Sequence, residues 1–184
     1  QVGHTLADRT TGRRMCDLLE KANLDGIYDA AAALVPLTDP DLLKKLAELP
    51  DNGDFKEEGV TGTIVREIVT PAGKIIIGGK GKNTYQLDKM KDVSVIIDLG
   101  GDDWYANNAG ASISAAQAHA VLLDLAGDDH YVAPAGSPAT PRLASQGSGV
   151  FGVGLLFDLA GNDTYRGGRF AQGSGHFGVG LLFD

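Results

Sequence analysis

The sequence predicts an α+β chain that is mostly β: a parallel β-solenoid, or β-helix, preceded by a short helical N-terminal segment. Three observations predict it. An acidic phrase recurs in tandem as Asp98-Leu-Gly-Gly-Asp-Asp-Trp-Tyr105, Asp124-Leu-Ala-Gly-Asp-Asp-His-Tyr131 and Asp158-Leu-Ala-Gly-Asn-Asp-Thr-Tyr165, with a fainter copy at Gly78-Gly-Lys-Gly-Lys-Asn-Thr-Tyr85 and another opening at Asp184. Short β-branched and aliphatic runs precede each phrase, as strands require, whereas apolar residues in the first fifty positions recur at helical spacing. Glycine is frequent throughout the repeat half, which argues against long helices there. Tandem phrases imply one small unit stacked on itself, bringing the same carboxylates to the same place in every layer.

The helical segment is expected over residues 1–58. Thr10 or Thr11 caps a first helix with Met15, Leu18, Leu19 and Ala22 on one side, ending near Asn23 or Gly26. An Ala-rich stretch over 28–35 stops before Pro36. Asp39-Pro40 reads as an N-cap followed by a proline at the first helical position, and Leu42, Leu43, Leu46 and Leu49 form a stripe that Pro50 ends. Residues 51–59 are polar and read as a linker.

The repeat region is expected over 59–184, with strands at 63–69, 74–77, 93–99, 121–125 and 151–159. The leading Asp positions are 26, 34 and 26 residues apart, and the longest interval holds Pro134, Pro138 and Pro141, read as a loop inserted into one coil. Within the strands, Val95, Ile97 and Leu99, Val121, Leu123 and Leu125, and Val153, Leu155, Phe157 and Leu159 are expected to point inward. Ile96, Leu122, Leu156 and Leu182 would form an outward row, to be covered by the N-terminal helices or by a second subunit. Gln146 and Gln172, at equivalent places, suggest a stacked amide ladder. Because the chain opens at Gln1 and reaches Asp184 in mid-repeat, a longer precursor is expected.

Charge narrows the partners. Residues 98–184 carry nine acids, all Asp, against three bases, Arg142, Arg166 and Arg169, while residues 1–97 carry 15 acids against 13 bases. The repeat half therefore favours divalent cations over nucleic acid, and no run is long enough to insert in a membrane. The single Cys16 excludes an internal disulfide framework.

If equivalent residues stack, neighbouring carboxylates come about 5 Å apart. Their repulsion is about 1 kcal/mol in water and several-fold larger at a surface-like dielectric. Neutralisation must come from protons, from the turn's own backbone amides, or from a hard cation such as calcium, which takes six to eight oxygen ligands. The candidate ligands are Asp98, Asp102, Asp103, Asp124, Asp128, Asp129, Asp158, Asn162, Asp163 and Asp184. The same residues also fit metal-free Asx turns or a catalytic carboxylate pair. The tyrosines are read as core or stacking residues beneath each turn.

Gly78-Gly-Lys-Gly-Lys-Asn-Thr-Tyr85 closely resembles the glycine-rich nonapeptide of the RTX family, G-G-x-G-x-D-x-U-x, with Asn83 at that family's Asp. The later copies keep its second half, Gly101-x-Asp103-x-Tyr105, Gly127-x-Asp129-x-Tyr131 and Gly161-x-Asp163-x-Tyr165, with Asp-Leu in place of the leading glycines. Residues 78–184 are also similar to bacterial proteins with tandem Asp-Leu-x-Gly-x-Asp-x-Tyr repeats. The resemblance implies a right-handed parallel coil that binds calcium in its turns, in secreted bacterial proteins.

Other motifs carry less. Gly147-x-Gly149-x-x-Gly152 and Gly173-x-Gly175-x-x-Gly178 match the dinucleotide fingerprint by letter, but a strand follows where a helix must receive the pyrophosphate. His4, His119, His130 and His176 share no metal-ligand spacing. The expected function is a structural or adhesive repeat module of a secreted or cell-surface bacterial protein, with Asp-rich turns binding calcium. The alternatives are a polysaccharide-binding or polysaccharide-cleaving β-helix using Asp102, Asp103, Asp128 and Asp129, and a metal-free spacer or self-assembly module.

Overall fold

The structure is a computed structural model that describes residues 12–14, 16–17, 19–112, 117–133 and 144–184. The expected cap at Thr10 or Thr11, with Met15 and Leu18, and the prolines at 134, 138 and 141 lie outside the described residues.

Helix α1 (Leu24–Leu34) starts at Asn23, whose side chain accepts a hydrogen bond from the Gly26 amide at 2.9 Å. Asn23 thus opens this helix and does not close an earlier one, because its short amide reaches the free donors of a first turn. A 3₁₀ turn (Val35–Thr38) absorbs Pro36. In α2 (Pro40–Ala47) the Asp39 carboxylate accepts from the amides of Asp41 and Leu42, both at 3.0 Å, as the Asp-Pro signature predicts.

The strands are β1 (Val60–Thr61), β2 (Ile64–Thr70), β3 (Gly73–Gly78), β4 (Thr84–Gln86), β5 (Val93–Asp98), β6 (Trp104–Ala106), β7 (His119–Asp124), β8 (His130–Val132), β9 (Gly149–Val150), β10 (Val153–Asp158), β11 (Thr164–Arg166), β12 (Gly175–His176) and β13 (Val179–Phe183). They form a six-stranded sheet ordered β13-β10-β7-β5-β3-β2, a five-stranded sheet ordered β1-β4-β6-β8-β11, and the pair β12-β9.

The expected right-handed parallel β-solenoid is corrected by this topology. The fold is mixed α/β, and both larger sheets are mixed: β2 runs antiparallel to β3, and β1 antiparallel to β4, while the remaining pairs are parallel. The segment before Gly78 has no earlier copy of the repeat to lie beside. It therefore returns through the tight turn at Thr70–Gly73, where Thr70 Oγ1 donates to the Gly73 carbonyl at 2.6 Å and accepts from the Ala72 amide at 3.1 Å.

Within the repeats the strands align residue for residue, Asp98 with Asp124 and Asp124 with Asp158, Tyr85 with Tyr105, Tyr131 and Tyr165 in turn. Glycine makes the turns stackable. A Cβ on Gly127 would lie 1.7 Å from the Gly101 carbonyl oxygen, and one on Gly161 would lie 1.7 Å from that of Gly127.

Two apolar layers sandwich the six-stranded sheet, and they reverse the expected facing. Ile96, Leu122, Leu156 and the half-buried Leu182, the row expected outside, pack together with Ile76 on Tyr85, Tyr105 and Tyr131 of the five-stranded sheet. Val95, Ile97, Val121, Leu123, Val153, Leu155 and Phe157, the row expected inside, meet Ile27, Leu34, Leu42, Leu43 and Leu46 of the helical segment. Every residue of β5 and β10 is buried, so both faces read as apolar and alternation alone does not say which one the helices cover. Gln146 makes no amide ladder: it is buried and its Nε2 donates to the Tyr131 carbonyl at 3.0 Å. Strand β10 begins at Val153, after Phe151, because Phe151 adopts a left-handed φ of 48°.

Candidate metal centre

Each repeat delivers two carboxylates to the seam between the larger sheets. The first closes a long strand: Asp98 ends β5, Asp124 ends β7 and Asp158 ends β10. The second comes five residues later, after the glycine turn, as Asp103 before β6, Asp129 before β8 and Asp163 before β11. Asp98, Asp124 and Asp129 are 0% exposed, and Asp103 and Asp158 are 1% exposed.

The row at the strand ends is held by its own turn and by tyrosine. Asp98 Oδ1 accepts from the Gly100 amide at 2.9 Å and Asp124 Oδ1 from the Ala126 amide at 3.0 Å. On the other oxygen, each tyrosine hydroxyl donates to the Asp of the following repeat. Tyr85 binds Asp98 Oδ2, Tyr105 binds Asp124 Oδ2 at 2.5 Å, and Tyr131 binds Asp158 Oδ2 at 2.9 Å. Tyr165 turns back to the Asp158 of its own repeat at 3.0 Å. The rings stack in one column, with centroids 5.0, 4.8 and 4.7 Å apart and planes within 6° of parallel.

The second row is held by backbone from the preceding tier. The Asn83 amide donates to Asp103 Oδ1 at 2.6 Å, the Asp103 amide to Asp129 Oδ1 at 2.6 Å, and the Asp129 amide to Asp163 Oδ1 at 2.7 Å. Asn83 closes the column at its first tier with a neutral side chain, donating through Nδ2 to Tyr85 Oη at 2.8 Å and to Asp98 Oδ2 at 3.1 Å.

These contacts leave carboxylate oxygens without partners. Among the described residues, Asp129 Oδ2, Asp158 Oδ1 and Asp163 Oδ2 are buried and accept no hydrogen bond. Two groups of three carboxylates, Asp98 with Asp103 and Asp124, and Asp124 with Asp129 and Asp158, each offer oxygens within 4.8 Å of one another. An oxygen-only set of close, desolvated carboxylates suits a hard cation, so these buried Asp groups can hold a metal ion.

Electrostatics record the same crowding. Burial, and then the charge of Asp98, pushes the Asp103 carboxyl above the usual carboxylate range. Burial, then Asp129 and Asp98, pushes Asp124 up. Burial lifts Asp158 from 3.8 to about 7, against the pull of the Tyr131 hydroxyl, with the Asp163 charge adding to the rise. The hydroxyls of Tyr85, Tyr105 and Tyr131 are all raised, first by burial and then by neighbouring aspartates, so they remain donors.

Of the ten candidate ligands, the structure brings Asp98, Asp103, Asp124, Asp129 and Asp158 into the two groups. Asp163 lies half-buried in the next tier, and Asp184 is exposed beyond β13. Asp102, Asp128 and Asn162 face solvent in a separate ladder, with the Asp128 amide donating to Asp102 Oδ1 at 3.1 Å and the Asn162 amide to Asp128 Oδ1 at 2.9 Å. These three behave as turn residues. Each Asp-Asp pair is thus split, one side chain inward and one outward, as successive residues of an extended chain must be.

The tyrosine hydroxyls and Asn83 are the functional groups that sequence reasoning missed. Their signal was the constant seven-residue offset from the leading Asp to Tyr, and an Asn standing where later copies have Asp. No family model matches the chain, and no similar curated protein or solved structure was found.

Proposed function

We propose that this chain is a structural or adhesive repeat module of a secreted or cell-surface bacterial protein, stabilised by calcium held in the buried aspartate seam. The observation that carries the reading is the set of orphaned buried oxygens on Asp129, Asp158 and Asp163 beside the carboxylate triplets. A buried carboxylate oxygen without a partner costs about 1–3 kcal/mol or more, and a hard cation relieves several at once. The resemblance to RTX repeats supports calcium among the hard cations, although here the ligands lie inside the seam and the exposed turn residues Asp102 and Asp128 do not join them. A structural role fits better than a hydrolytic one, because Asp103 and Asp129 are too deeply buried to meet a polysaccharide, and the exposed Asp102 and Asp128 each accept a backbone amide of the next turn. Among the described residues, no helix is long and apolar enough to cross a membrane.

Thermal melting of the full chain, stripped with chelator and titrated with calcium, tests the reading. Ligand linkage predicts stabilisation of about 2.7 kcal/mol at a hundredfold excess over Kd. An unchanged melting temperature at millimolar calcium, with magnesium equally inert, would sink it.

A second reading is a metal-free seam neutralised by shared protons, favoured by the tyrosine donors and the upward-shifted carboxyls. It predicts melting that responds to pH but not to calcium.

A further inference from the structure

Resting on the cation reading above, we infer that the seam takes two divalent cations as a bridged pair, with Asp124 as the carboxylate common to both. Asp124 belongs to both carboxylate triplets, and it is the only residue they share. Its neighbours on either side are the equivalent Asp98 and Asp158, one tier away in each direction across the parallel ladders. Tiers lie about 4.8 Å apart, a spacing that one carboxylate spans with an oxygen toward each ion.

With the carboxylates ionised, charge balance favours the second ion. The two triplets comprise five carboxylates, all at most 1% exposed. One divalent ion leaves three uncompensated negative charges in a desolvated seam, whereas two leave one. Burying unpaired charge is among the costliest arrangements in a fold, so the second ion is favoured once the first is seated.

The seam is finite at its first tier. Asn83 and Gly78 stand where the later repeats have Asp, and a Cβ on Gly78 would lie 2.3 Å from Asp98 Oδ2. No third carboxylate pair adjoins Asp98 on that side, so the first triplet marks the column's end there.

Calorimetric titration of the chelator-stripped full chain with calcium, repeated with terbium excited through the tyrosines, tests the pairing. The expected result is two equivalents per chain, one equivalent for Asp98→Asn, one for Asp158→Asn, and none for Asp124→Asn. A single equivalent in the wild type, or two retained in either end variant, overturns the bridged pair while leaving a cation site in place. No binding to the wild type overturns the cation reading itself. If Asp124→Asn does not fold by circular dichroism, the wild-type stoichiometry and the two end variants still decide.

Discussion

Removing one hydroxyl from the tyrosine column separates hydrogen bonding from packing. In Tyr105→Phe the ring, fully buried and stacked at 5.0 Å on Tyr85 and 4.8 Å on Tyr131, keeps its place. What disappears is the donor to Asp124 Oδ2 at 2.5 Å, leaving Asp124 only the Ala126 amide on its other oxygen. Leaving a buried acceptor unsatisfied costs about 1–3 kcal/mol, and Asp124 is fully buried. We expect a loss of about 2 kcal/mol, or roughly 4–8 °C in melting temperature for a chain of this size. Tyr131→Phe is the internal comparison. Its acceptor, Asp158 Oδ2, retains the Tyr165 hydroxyl at 3.0 Å, so the loss should be nearer about 1 kcal/mol. Urea denaturation of the metal-free proteins, read for midpoint at constant slope, measures both. If Tyr131→Phe proves as costly as Tyr105→Phe, or if neither destabilises, the tyrosine hydroxyls do not hold the seam.

Two further outcomes follow from the same geometry. Burial raises Asp158 to about 7, so the folded seam binds protons that the unfolded chain releases near the ordinary carboxylate value of 3.8. Metal-free stability should therefore be greatest below about pH 4 and fall as pH climbs to about 7, with calcium abolishing the fall; a rise across that window in chelator would contradict the assignment. Gly127→Ala puts a methyl 1.7 Å from the Gly101 carbonyl oxygen, whereas Gly81→Ala meets nothing within 4 Å. The first should cost more than about 2 kcal/mol and the second under about 0.5 kcal/mol by thermal melting, and equal effects would refute turn-on-turn stacking.

How far the site could be read in advance differs residue by residue. Asp98, Asp124 and Asp158 were legible because identical residues at the ends of equivalent strands must align once those strands pair in parallel. Asp102 and Asp103 were not separable, since adjacent letters in a turn carry no mark of which side chain points to the seam. The short strands β4, β6, β8 and β11, three residues each, were missed, because so few positions cannot display a two-residue period. The strand at 63–69 was legible as β2, but its antiparallel direction, and the two-residue β1, were not: the phrase starts at Gly78, and nothing upstream declares a strand direction.

The sequence by itself determined the tier-by-tier register, the glycine turns and the Asp39 cap. Each follows from local chemistry: a repeated side chain, a position with no room for Cβ, a carboxylate beside free amides. Only the tertiary structure decided which face of the six-stranded sheet the helices cover, and which aspartates lose their water. Those outcomes depend on contacts between segments distant in the chain, the tyrosine of one repeat reaching the aspartate of the next, and burial exists only once both sheets are in place.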